Sequence, residues 1–231
     1  REEIQAAYES LRPRVDAKVP AFFGRLPKTP FEIRPVEAFR EVAAAPAQYS
    51  GGSADGSRPG IFYYNAYQPE TRTRFTTTAF FLHEAIPGHH FETSLAREHP
   101  SLPAFRRFGG SGAYGEGWGL YSELLGEEMG LYDPWQYVGR LTAEIWRAVR
   151  LVVDTGIHAK GWTREQAIAY FMENVPQGEI VATQEVERYI GVPGQALSYK
   201  IGEIKIRELR ANEKKTLGKK FDIREFHDEI L

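Results

Sequence analysis

Apolar residues recur at helical spacing through most of this chain. In residues 2–18 the positions Ile4, Tyr8, Leu11 and Val15 fall on one stripe, predicting a packing helix with a kink at Pro13. A short strand at Phe31–Arg34 and a helix over Val36–Ala44 follow, and residues 46–60, rich in Gly, Pro and small polar side chains, read as a loop. Residues 61–67 are aromatic and β-prone between Pro59-Gly60 and Pro69, which predicts a strand. Thr76–Thr78 can cap the next helix, and Ala79-Phe80-Phe81-Leu82 makes it apolar on all sides and therefore buried. A loop over 101–112 leads to a helix at Ala113–Leu125 that contains Gly115, Gly117 and Gly119. Each of these glycines costs about 1 kcal/mol relative to alanine, so something there demands close backbone approach.

The longest predicted helix is Pro134–Lys160, with Trp135, Val138, Leu141, Ile145, Val149, Val152 and Val153 apolar. Thr163 with Gln166 forms a capping box that opens a helix to Asn174. A helix over Gly178–Ile190, a turn at Gly191–Gly194, a long helix from Gln195 and a terminal helix opened by Asp222 and Glu225 complete the reading. The fold class is mainly α with a small β-sheet.

Composition narrows this further. The 231 residues are 42% hydrophobic, enough for one substantial core, and we expect a single domain over 1–231. A net charge of −2 gives no footprint for nucleic acid or an anionic membrane surface. The absence of cysteine excludes thiolate zinc sites, disulfides and a cysteine nucleophile. No apolar run approaches the ~20 residues of a membrane span and no signal peptide is present, so we expect a soluble protein, cytoplasmic or exported to the periplasm. The chain starts at Arg1 and stops after the helix Phe226–Leu231, and both ends are expected to be cut from a longer protein.

The chemistry concentrates in Phe80-Phe81-Leu82-His83-Glu84-Ala85-Ile86-Pro87-Gly88-His89-His90-Phe91-Glu92, which holds three of the six histidines. In a His-Glu-x-x-His helix two histidines one turn apart hold zinc, and the glutamate activates its water. Here Pro87 occupies the position four after His83. At ~100° per residue a histidine six positions on points away from His83 on a regular helix, whereas seven positions on returns to the same face about 10 Å along the axis. A bulge or break at Pro87-Gly88 that absorbs two residues would bring His89 to the second ligand position, with His90 as the alternative. Zn²⁺, one ion, is the expected cofactor, and Glu84 the expected base.

Arg150, Asp154 and His158 repeat every four residues along the long helix. They form either a solvated face of helix ion pairs or one polar stripe lining a cleft. In the second case Asp154 accepts from Arg150 and fixes the His158 tautomer, and His158 contacts the substrate or a developing oxyanion.

The run His-Glu-Ala-Ile-Pro-Gly-His-His resembles the signature of a large bacterial family catalogued as domain of unknown function 885. Further matching runs are residues 56–63, 115–121, 154–158 and 193–200, so the resemblance spans most of the chain. Members of that family are similar to gluzincin zinc peptidases such as thimet oligopeptidase, angiotensin-converting enzyme and Taq-type carboxypeptidases. The resemblance implies a zincin-like catalytic domain with its small sheet beside the metal helix, and a longer parent with an additional N-terminal helical region. It also implies a third ligand from a downstream helix: Glu116 between its glycines, with Glu123 as the competing choice. Late tyrosines would donate to the tetrahedral intermediate, Tyr199 first and Tyr189 second, with Gln195 nearby for substrate, and the strand at 61–67 would pair with substrate backbone. The implied activity is hydrolysis of peptide bonds in oligopeptides. A zinc hydrolase of non-peptide amides or esters, and a non-catalytic metal-binding fragment, are the alternatives.

Overall fold

The computed structural model describes residues 1–42, 44–71 and 74–231. Helix α1 (Glu2–Asp16) buries Tyr8, Leu11 and Val15 and carries Pro13 within it. Three strands follow, β1 (Phe31–Pro35), β2 (Ala47–Ser50) and β3 (Gly60–Tyr64), in the order β1-β3-β2. β1 runs parallel to β3 with Phe31 opposite Gly60, and β2 runs antiparallel to it with Ala47 opposite Tyr64. The aromatic strand is thus the centre of the sheet. Both of its edges are taken, so it has no free hydrogen-bonding edge for a substrate backbone, contrary to the expectation for residues 61–67; among the described residues β2 is an edge.

Helices α2 (Thr77–Glu84), α3 (His89–Glu98), the short α4 (Ala104–Phe108) and α5 (Gly112–Glu128) follow the sheet. Phe62 of β3 meets Tyr8 edge-on at 4.8 Å and Phe81 of α2 at 6.0 Å, so α1 and α2 cover the same face of the sheet. Phe62, Phe81, Leu82, Trp118, Tyr121 and Leu125 are fully excluded from solvent in one core. Each contributes roughly 1.5–3 kcal/mol of burial, which outweighs the weak helix propensity of the Thr-Thr and Gly-rich segments.

The second half is helical: α6 (Pro134–Lys160), α7 (Arg164–Asn174), α8 (Glu179–Gly191), α9 (Ser198–Leu217) and α10 (Ile223–Ile230). The capping boxes Asp133/Gln136 and Thr163/Gln166 start α6 and α7. Val149, Val153, Phe171, Val186 and Tyr189 form a second core, and α6 lies between the two.

Four expectations change. Among the described residues of 36–44, which omit Ala43, there are turns and no helix. Val36 N–H still bonds to the Tyr64 carbonyl, and the Asn65 side chain takes the carbonyls of Glu41 and Ala44, so those groups are satisfied without a helix. The predicted loop over 46–60 begins with β2, and the predicted loop over 101–112 contains α4. Finally, α6 buries only part of the stripe read from its apolar residues, Val149 and Val153 among them. Trp135, Val138, Leu141, Ile145 and Val152 are exposed, while Arg140, Arg147, Arg150 and Asp154 are buried.

Candidate functional site

Helix α2 ends where Ala85 leaves helical geometry, and the Ile86–Pro87 peptide is cis. A Cβ on Gly88 would lie 1.8 Å from the His83 carbonyl oxygen, so glycine alone lets the chain fold back there. His89 then opens α3 as a separate helix. The break replaces helical pitch with a turn, and the His83 and His89 rings meet at 4.9 Å, nearly perpendicular.

Glu116 reaches the pair from α5. Its Oε2 lies 3.5 Å from His83 Nε2 and 3.4 Å from His89 Nε2. One donor atom from each of the three residues lies within 4.8 Å of the others. Tetrahedral zinc with ligand bonds of about 2.1 Å has donor–donor edges of roughly 3.4 Å, so two measured edges match and the donor chemistry suits the ion. Burial opposes a charge on His83 and His89, yet Glu116, with Glu123 for His83 and Glu92 for His89, outweighs it and pushes both above the ordinary imidazole range. Burial likewise resists ionisation of Glu116, but the two imidazoles hold its carboxyl far below the usual carboxylate range.

The competing choice, Glu123, stands behind His83 instead of beside Glu116. His83 Nδ1–H donates to Glu123 Oε1 at 2.8 Å, which leaves Nε2 facing Glu116. Glu123 is 1% exposed, and Arg147 at 3.3 Å offsets its charge. The glycines of α5 explain themselves here. A Cβ on Gly119 would lie 2.7 Å from the His83 ring, and one on Gly117 would lie 2.4 Å from Gly202 Cα of α9. Trp118 Nε1 donates to the Pro87 carbonyl at 2.8 Å, tying α5 to the turn that separates α2 from α3.

His90 points away from this cluster. Its Nδ1 is 2.8 Å from the Tyr49 hydroxyl, and its ring packs on Phe31. Burial, with Arg12 adding to it, lowers its pKa to about 4, so it is a neutral core residue. Glu84, next to His83, makes no hydrogen bond or ion pair with the described residues, while its charge acts on both His83 and His89.

One wall beside the cluster comes from α6, α8 and the start of α9. Gln195 Nε2 donates to Glu116 Oε1 at 3.2 Å and to the Tyr199 hydroxyl at 3.3 Å. Arg188 Nη2 donates to Gln195 Oε1 at 2.8 Å and to the Tyr199 hydroxyl at 3.1 Å. The Tyr199 ring stacks on His83 at 6.1 Å, and the Arg150 guanidinium lies over the Tyr199 ring at 4.4 Å.

The other expected residues sit further back. Tyr189 donates to Glu185 Oε2 at 2.6 Å, and Arg150 pairs with the same oxygen at 2.7 Å. Asp154 does not accept from Arg150; its carboxylate takes the Gly194 N–H at 3.0 Å. His158 Nε2–H donates to the Tyr189 carbonyl at 2.9 Å and not to Asp154. The stripe Arg150-Asp154-His158 therefore fastens α6 to α8 and to the turn before α9. Sequence reasoning missed Arg147, Glu185 and Arg188; for Arg147 the available signal was that 140, 143, 147, 150 and 154 keep the 3–4 spacing usually held by apolar residues, and the two residues of α8 carried no such signal. A cavity of about 1540 Å³ also opens past Phe80, Trp146 and Arg147, but none of the three donor residues lines it.

The fold and site thus define a mainly helical protein with a small three-stranded sheet and a convergent His₂Glu cluster at the junction of two cores. The chain belongs to the family described as "Bacterial protein of unknown function (DUF885)", whose pattern matches residues 1–231. It is similar to a solved structure of a "putative lipoprotein" from Colwellia psychrerythraea, with 43% identity, a TM-score of 0.97 and coverage of 100% of this chain and 40% of that one. It is also similar to a "putative lipoprotein of unknown function" from Shewanella oneidensis, with 26% identity, a TM-score of 0.72 and coverage of 98% of this chain and 42% of that one. The chain therefore spans about two fifths of the length of these neighbours. No curated protein matches it.

Proposed function

We propose that this chain carries the catalytic site of a zinc-dependent peptidase with a zincin-like arrangement. The observation that carries the reading is the convergence of His83, His89 and Glu116 with an unpaired Glu84 beside them. Zinc held by these three residues supplies Lewis acidity toward a carbonyl and acidifies water. Glu84 takes the proton of the attacking water and returns it to the leaving nitrogen. Glu123 keeps His83 in the tautomer that offers Nε2. Tyr199 receives hydrogen bonds from Arg188 and Gln195, so its own proton is left to donate to the developing oxyanion. Tyr189 and His158 act further back, holding α8 against α6. The lipoprotein description of both neighbours supports an exported setting.

The test joins metal analysis to peptide turnover. About one zinc per chain, lost in Glu116→Ala, is expected. Glu84→Gln should keep the zinc and lose turnover of an oligopeptide mixture by ~10²–10⁴-fold. A Glu84→Gln protein as active as the parent would remove the assigned base, and zinc-free protein after exposure to zinc at neutral pH would remove the reading itself.

A further inference from the structure

We infer that Arg188, backed by Arg150, forms an anion subsite beside the His₂Glu cluster, and that substrates of this site carry a carboxylate there. This rests on the peptidase reading above and names its substrate class.

The argument begins with how the two arginines are satisfied. Arg150 and Arg188 share one carboxylate, Glu185, which also accepts from Tyr189 at 2.6 Å and Trp146 at 3.1 Å. Arg150 takes the close contact at 2.7 Å, and Arg188 is left at 3.6 Å, beyond hydrogen-bond reach. The hydrogen bonds Arg188 does make go to neutral acceptors, the Gln195 amide oxygen and the Tyr199 hydroxyl. A guanidinium in a purely structural role is normally neutralised where it is fixed. Here the neutral partners fix its position, and among the described residues its only ion pair is the loose one with Glu185 Oε1 at 3.6 Å, so donors of the guanidinium remain for an incoming group.

Position supports the same conclusion. The Arg188 side chain is 37% exposed, so an anion can reach it. Gln195 links it directly to Glu116, which puts the guanidinium two hydrogen bonds from the donor cluster. Arg150, on the same Glu185 carboxylate, is buried, and its Nη1 has no hydrogen-bond partner among the described residues. Nearby acids are engaged elsewhere: Asp154 with the Gly194 N–H, Glu123 with His83 and Arg147, and Glu187 with Arg164. A planar carboxylate matches the guanidinium fork, and in a peptide it comes either from the free chain end or from an acidic side chain.

Equilibrium binding separates these sources without relying on turnover. Titration calorimetry would compare N-acetyl-dialanine with its amide, and N-acetyl-glutamic acid α-amide with N-acetyl-glutaminamide, on metal-free and zinc-loaded protein. We expect one acid to bind about 10-fold tighter than its neutral partner. Preference within the first pair assigns the chain end; preference within the second assigns the side chain. Arg188→Gln should abolish the preference, and Arg188→Lys should reduce it severalfold. Equal binding of acids and amides by the parent protein, or a preference that survives Arg188→Gln, overturns the subsite. If Arg188→Gln does not fold, the parent's ratio and that of Arg188→Lys decide. Failure of the peptidase reading would look different: discrimination in binding with no hydrolysis of any peptide.

Discussion

Glu123 shows how one buried side chain sets the chemistry of another. Its carboxylate would be costly to hold without solvent, and it is retained because His83 N–H and the Arg147 guanidinium share it. Replacing it with glutamine weakens the fixed tautomer of His83 while keeping the volume. We expect Glu123→Gln to lower zinc affinity ~10–100-fold in a chelator competition assay, and an unchanged affinity would deny it that role. At this scale much of the site was legible. His83, Glu84 and the paired histidines could be singled out because His-Glu followed by two further histidines is a rare pattern, whereas Glu116 was singled out through the family resemblance, with Glu123 competing. The choice of His89 over His90 as the group facing Glu116 came from the turn, which spacing alone could not supply. Arg188 was not legible, because an arginine on an amphipathic helix looks the same whether or not a carboxylate meets it in space.

Among the elements, α6 defeated the usual reading and α5 rewarded it. Helix α6 carries an apolar row and a charged row, and a sequence rule buries the apolar one. The structure buries much of the charged one together with Val149 and Val153, because Glu123 of α5 and Glu185 of α8 pair with Arg147 and Arg150, while Glu144, one turn along α6 itself, pairs with Arg140. Nothing in the local sequence of α6 announces Glu123 and Glu185, which come from other helices. The glycines of α5, by contrast, announced a close approach that the crossing with α9 supplies. At Gly117 a new Cβ would meet the Gly202 backbone at 2.4 Å, where no flexible side chain can yield. The helix propensity gained by alanine, about 1 kcal/mol, is therefore smaller than the strain it brings. Gly117→Ala should cost about 2 kcal/mol net and lower Tm by ~4–8 °C in a thermal melt. A Tm equal to or above the parent's would mean that the crossing has slack.

The whole chain is closed by its last helix. His227 Nδ1–H donates to the Phe22 carbonyl at 2.8 Å, its Nε2 accepts from Tyr121 at 2.9 Å, and its ring stacks on Phe23. Asp228 caps the Gly24 and Arg25 N–H groups alongside. Burial, reinforced by Arg210, lowers the His227 pKa to about 4. The unfolded chain therefore binds this proton more readily than the folded one, and stability present above the unfolded value of about 6.5 is lost as pH falls toward 4. The shift is on the order of 3 kcal/mol. Urea melts at pH 7 and pH 5 should show about 2 kcal/mol of that loss in the parent and a smaller loss in His227→Gln. An equal pH dependence in both would place the sensitivity elsewhere. The mainly helical plan was readable at this scale from hydrophobic spacing. The pairing of the sheet was not, because the short edge strand β2 buries only Ala47 fully and carries no alternating pattern.

The donors His83, His89 and Glu116, with Glu123 behind them, come from α2, α3 and α5, whereas the wall of Arg150, Arg188, Gln195 and Tyr199 comes from α6, α8 and the chain entering α9. The Gln195–Glu116 hydrogen bond joins the two sets across 79 residues of sequence. On the reading proposed above, the two sets could change separately: substitutions in the later helices would alter the wall while leaving His83, His89 and Glu116 in place.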